Sequence, residues 1–184
     1  MHHVNTLERD GSVLVVVDVQ DKLLQAIHGW QDVLANTVKM VKIAHALGIP
    51  VIVTEQYPKG LGETNKELMG VLSPCSIFEK TVFSCFGTEG FGDRLKELDA
   101  KTIVIVGIEA HICVNQTAHD SLAAGYKTHI ISDSVGSRNP SNKMIGLDKM
   151  RQSGVVISSV EIALYEWLKR SDTKEFKDML PLIK

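Results

Sequence analysis

KTIVIVGIEAHICVNQTAHDSLAAG, residues 101–125, reads as strand, turn and helix in succession. Ile103, Val104, Ile105 and Val106 form an unbroken apolar run, as a strand buried on both faces of a parallel sheet requires. Gly107 opens a turn through Ile108, Glu109, Ala110 and His111. A helical segment then runs from about residue 113 and stops at Gly125. Cys113 falls where turn becomes helix. A thiol there meets exposed N–H groups and the positive end of the helix dipole, which favour the thiolate. Cys113 is therefore the candidate nucleophile.

The rest of the chain repeats this alternation. Residues 13–17 are a β-branched run, and Asp18 follows directly, where an open α/β sheet places ligand-binding or catalytic groups. An Asp there could equally cap the next helical turn. Residues 32–47 carry apolar side chains at helical spacing, closed by Gly48, and residues 50–54 form a second strand. This is a right-handed βαβ unit. Glu55-Gln56-Tyr57-Pro58-Lys59-Gly60-Leu61-Gly62 is a loop that overhangs the same edge as Asp18. A short helix at 65–72 precedes a strand around Ile77 and Phe78, which delivers Lys80 to that edge. A lone Lys is usually a solvated charge, so pattern alone does not assign it.

A helix at 91–98 leads into the opening stretch. Beyond it come a strand at 127–132 ending at Asp133, a loop at 134–140, a helix at 141–153, a strand at 155–157 and a helix at 161–169. The polar tail from residue 173 ends in Met179-Leu180-Pro181-Leu182-Ile183, which must pack on its own domain or on a neighbouring subunit. Six short strands alternating with helices predict an α/β fold: a three-layer α/β/α sandwich with a six-stranded parallel sheet, in a single domain spanning 1–184.

Composition excludes several classes. A net charge of −2 gives no electrostatic case for nucleic acid or an anionic membrane. The three cysteines do not form a disulfide framework, which points to a reducing compartment. The N-terminus has no basic-then-apolar leader pattern, so a cytoplasmic location is expected. His2 and His3 read as exposed and without function.

Asp18, Lys80 and Cys113, each following a different strand, suffice for acyl transfer. Asp18 can take the thiol proton and deliver it to a leaving amine. Lys80 can orient Asp18 and favour the thiolate. Cys113 can attack a carbonyl carbon to give a thioester, with backbone N–H groups at the turn receiving the oxyanion. Gln20, Tyr57, Phe83 and Phe86 are the candidate pocket residues. Cys75 and Cys85 read as packed thiols.

Val17-Asp18-Val19-Gln20, Glu79-Lys80-Thr81 and Gly107-Ile108-Glu109-Ala110-His111-Ile112-Cys113-Val114 resemble, in that order, the isochorismatase-like cysteine hydrolases. The likeness runs from about Ser12 to Ile162 and is strongest to isochorismatase domain-containing proteins. It implies an Asp18–Lys80–Cys113 triad, a non-proline cis peptide joining Ile108 and Glu109, and an oxyanion hole made by the N–H groups of Glu109 and Cys113. It also suggests a homo-oligomer. Nicotinamidases of the superfamily carry an Asp-and-His metal cluster after the second strand. Residues 54–58 here, Thr54-Glu55-Gln56-Tyr57-Pro58, hold no His, so no metal and no cofactor are expected. The presence of Cys113 favours amide or related acyl chemistry on a small molecule over vinyl ether cleavage.

Rival readings are weaker. A Cys113–His111 protease pair has no oriented third partner. A dinucleotide site needs a glycine-rich turn after the first strand, where the chain reads Asp18-Val19-Gln20-Asp21-Lys22. A redox role for Cys113 lacks a resolving cysteine nearby in sequence. The non-enzymatic alternative is a catalytically silent member acting as a binding or assembly module.

Overall fold

The computed structural model describes residue 3 and residues 5–183; His2 and Lys184 fall outside them. Six strands pair in parallel in the order β3-β2-β1-β4-β5-β6. They are β1 (Ser12–Val17), β2 (Val51–Gln56), β3 (Ser76–Lys80), β4 (Thr102–Ile108), β5 (Lys127–Gly136) and β6 (Val156–Ser158). The order reverses between β1 and β4, which run side by side from Ser12 opposite Thr102 to Val17 opposite Gly107. Such a switch point leaves a crevice at the carboxyl ends of the strands.

The helices are α1 (Asp21–Leu24), α2 (Trp30–Ala46), α3 (Pro58–Leu61), α4 (Lys66–Met69), α5 (Phe91–Glu97), α6 (Cys113–Ala123), α7 (Pro140–Gln152), α8 (Val160–Leu168) and α9 (Lys174–Met179). Alternation along β1 divides the core in two. Leu14 and Val16 face one layer with Val41 and Trp167, from α2 and α8. Val13, Val15 and Val17 face the other with Phe91, Val114 and Met150, from α5, α6 and α7. Burial on both sides explains why these strands read as continuous apolar runs.

Gly107 holds the switch point together. Its φ is +107°, and a Cβ there would lie 2.1 Å from the Val17 carbonyl oxygen. Any side chain would drive β4 away from β1 just below the crevice.

One expectation needs correction. β5 does not end at residue 132: its register against β4 shifts between Ile105 and Gly107, and the strand continues to Gly136. Asp133 therefore lies within a strand, and its carboxylate accepts the Val160 N–H at the start of α8. The polar tail from residue 173 holds α9 followed by a 3-10 turn. Met179 is buried, and Leu182 and Ile183 pack on the α2–α8 side of the core. That apolar end is satisfied within its own domain.

His129, on β5, is buried, and among the described residues its Nδ1 has no hydrogen-bond partner. Burial is the main cause that pulls its pKa from 6.5 down to about 4, helped by Lys127. The unfolded chain thus binds a proton between those values that the folded chain refuses, so stability falls as pH drops through this window. In urea unfolding, the native protein should lose about 2–3 kcal/mol more than His129→Gln between pH 7 and about pH 4.5.

Candidate active site

β1 delivers Asp18 to the crevice with a left-handed backbone, φ +52°, which Asp tolerates better than most residues. Its carboxylate is fully buried and partnered at both oxygens. Oδ1 accepts the Thr54 hydroxyl at 2.7 Å, and Oδ2 accepts Lys80 Nζ at 2.7 Å. Thr54 lies on β2 and Lys80 ends β3, so the network crosses three adjacent strands. Lys80 also donates to Gln56 Oε1 at 2.6 Å and reaches the carbonyls of Val82 and Phe83, each at 3.2 Å. Three ammonium protons are shared among four acceptors.

Cys113 is the first residue of α6 and is 7% exposed. Its neighbour Ile112 offers the helix no side-chain cap. The peptide between Ile108 and Glu109 is cis. Among the described residues, neither the Glu109 nor the Cys113 N–H donates to an acceptor.

The helix start favours the thiolate, but stronger influences at Cys113 oppose it. Burial, first, and then the neighbouring Asp18 push the Cys113 thiol up to about 12, with Lys80 opposing them. Removal from water and a carboxylate at close range outweigh the ammonium and the helix start. These influences favour the thiol at neutral pH, with the Asp18 carboxylate close by. Cys85 is fully buried, its thiol raised to about 11 mainly by burial, with Sγ 3.9 Å from the Thr54 hydroxyl.

Above Cys113 opens a cavity of about 350 Å³. Of the candidate pocket residues, Tyr57 and Phe83 stand on its wall, as do Glu109 and Cys113. Gln20 and Phe86 do not. Gln20 is buried and fully engaged: Nε2 donates to the carbonyls of Gln56 (3.0 Å) and Gly62 (2.5 Å), and Oε1 accepts the Gln56 N–H at 2.7 Å. It braces the loop rather than facing the cavity. Phe86 turns toward Phe91 and Tyr126, with ring centroids 5.3 and 6.1 Å away. Gln56 and Leu61, also on the wall, belong to the 55–62 segment expected around the pocket, while Leu23, Ile108 and Ile112 are wall residues that sequence reasoning missed. Gln56 closes β2 at the edge where Asp18 follows β1.

The Glu109 carboxylate points to Arg138, accepting its N–H at 2.9 Å and its Nε at 3.0 Å. His111 Nδ1 pairs with Ser137 Oγ at 2.9 Å and not with Cys113. His119 bridges the Asn115 carbonyl and Ser153 and plays a packing role.

Comparison with known proteins gives the family and the fold. Residues 12–162 match the model of the isochorismatase domain. Isochorismatase family protein 1A of Dictyostelium discoideum is 40% identical over 187 aligned positions, 99% of this chain and 90% of that protein. The solved structure described as the MAR1 ribonuclease from Caenorhabditis elegans superposes with a TM-score of 0.91 at 35% identity, covering 96% of this chain and 91% of that one. The YcaC gene product of Escherichia coli, described as an octameric hydrolase of unknown specificity, has the same fold: TM-score 0.92, 19% identity, 99% and 92% coverage.

Asp18 raises the thiol pKa and Lys80 lowers it, so the two should separate acidity from reactivity. Ultraviolet titration of the thiolate, with Cys113→Ser as the blank, should find Cys113 ionising only in strong alkali. Asp18→Asn should lower that pKa by about one to two pH units and Lys80→Met should raise it. A pKa unmoved by Asp18→Asn would mean that the carboxylate does not govern the thiol.

Proposed function

Because this chain belongs to the isochorismatase family of hydrolases, we propose that it cleaves a small amide, or a related acyl substrate, through a thioester on Cys113. The supporting observation is the buried Asp18–Lys80 pair, 2.7 Å apart, beside a protonated thiol that opens into a small cavity.

The reaction runs in two halves. The Cys113 sulfur attacks the carbonyl carbon as its proton passes to Asp18. The carbonyl oxygen, now an oxyanion, is received by the N–H groups of Glu109 and Cys113, which have no other partner among the described residues. The intermediate collapses, the C–N bond breaks, and Asp18 returns the proton to the departing amine. Water then gives a proton to Asp18 and attacks the thioester. The C–S bond breaks, the acid leaves, and the sulfur recovers its proton from Asp18. Lys80 keeps the carboxylate aimed at the sulfur throughout, held itself by Gln56 and two carbonyls.

The C. elegans relative bears the name ribonuclease. An RNA substrate is disfavoured here by the chain's net charge of −2 and by a wall without Lys or Arg. The E. coli neighbour is described as octameric. A homo-oligomer in the cytoplasm fits this chain as well, and the exposed Met144 and Ile145 on α7 offer apolar surface for one.

A panel of small amides, assayed for release of ammonia or amine, tests the reading. Cys113→Ala should abolish turnover of the best substrate, and Asp18→Asn should lower kcat by about 10²–10⁴-fold. Mass spectrometry of the quenched native enzyme should show one acyl group on Cys113. An inactive native protein would instead favour the binding-module alternative.

A further inference from the structure

The polar groups around the cavity are already engaged with one another, and this limits what can enter. Asp18 and Lys80 neutralise each other, and the three protons of Lys80 are divided among four oxygens. Glu109 is neutralised by Arg138, whose side chain is not on the wall. Gln56 accepts from Lys80 through Oε1 and donates to the Thr81 carbonyl through Nε2. What remains open to a ligand is the Cys113 thiol and two backbone N–H groups, which are taken up by the reacting carbonyl, and the hydroxyl of Tyr57, which is 54% exposed. The rest of the wall is apolar: Leu23, Leu61, Ile108 and Ile112, with the rings of Tyr57 and Phe83.

We infer that the cavity takes an uncharged amide with an apolar acyl group and turns away acyl groups that end in a carboxylate. This rests on the amide-hydrolase reading and adds to it the chemical class of the acyl part. A carboxylate seated against those side chains would lose its water and gain no cation, and the one neutral Tyr57 hydroxyl does not replace that hydration. A methylene seated there leaves water for an apolar contact, worth about a three- to fourfold gain in affinity.

The experiment compares two ligands of equal length, hexanamide and the monoamide of adipic acid, in equilibrium binding to Cys113→Ala at neutral pH. Hexanamide should bind at least about tenfold more tightly than the acid, and butanamide more weakly than hexanamide. In the background of Cys113→Ala, adding Phe83→Arg places a cation at the mouth. It should strengthen binding of the acid about fivefold or more and leave hexanamide no stronger. Equal or tighter binding of the acid in the parent, or binding of neither ligand, overturns the inference. Turnover by the native enzyme is read separately. Preference for hexanamide without hydrolysis of any amide would sink the catalytic reading and leave the selectivity of the cavity established. Hydrolysis with the acid preferred would do the reverse.

Discussion

A carboxylate and an ammonium with no exposure to solvent, 2.7 Å apart, set the terms for the rest of this molecule. Taking both ions out of water costs several kcal/mol each, and their attraction offsets this only if every remaining valence is filled. The fold fills them. Thr54 completes Asp18, while Gln56 and the carbonyls of Val82 and Phe83 complete Lys80. Each partner comes from a neighbouring strand or from the loop leaving β3, so the pair exists only when three strands are in register. Apolar side chains of similar volume could hold the same strands together at least as well. The pair therefore makes more sense as an arrangement for the thiol beside it than as a source of stability.

That arrangement accounts for an apparent contradiction at Cys113. A nucleophilic cysteine is often activated by stabilising its thiolate, yet here burial and Asp18 push the thiol up to about 12. Lys80 is the one nearby charge that acts the other way, and it is already shared among four oxygens. The sulfur thus keeps its proton beside the carboxylate instead of resting as a thiolate. In the proposed amide cleavage, the carboxylate takes that proton as the sulfur attacks and has it to give the leaving amine. A resting thiolate would leave Asp18 with nothing to return.

The architecture was legible because buried parallel strands are apolar along their whole length and end abruptly at polar residues. Asp18, Lys80 and Cys113 all stand at or past such endings, so their convergence on one edge of the sheet could be read from the chain. What was not legible depended on tertiary geometry. Gln20 and Gln56 both follow a strand, and nothing in the sequence tells which amide faces the cavity; the left-handed backbone of Asp18 precedes the turn of Gln20 into the protein. Phe83 and Phe86 are three residues apart, but the 3-10 turn Cys85–Gly87, capped by Ser84, directs Phe86 back onto α5. The extension of β5 follows a register shift that leaves no mark in local pattern. The thiol's protonation state is a matter of desolvation, which arises only when the chain is folded.

Reactive groups and wall residues come largely from different parts of the fold. Strand ends and the start of α6 hold Asp18, Lys80 and Cys113, while much of the wall belongs to connecting segments such as those carrying Tyr57, Leu61 and Phe83. Two residues cross this division. The Phe83 carbonyl accepts from Lys80 while its ring borders the cavity, and Gln56 lines the cavity while its Oε1 holds the same ammonium. Gln20 in turn clamps the Gln56 backbone from the opposite side. The side chains that border the cavity and those that hold the Asp18–Lys80 pair are therefore in direct contact, within one layer. In the proposed reaction, the fit of the acyl group and the aim of the carboxylate thus depend on the same residues.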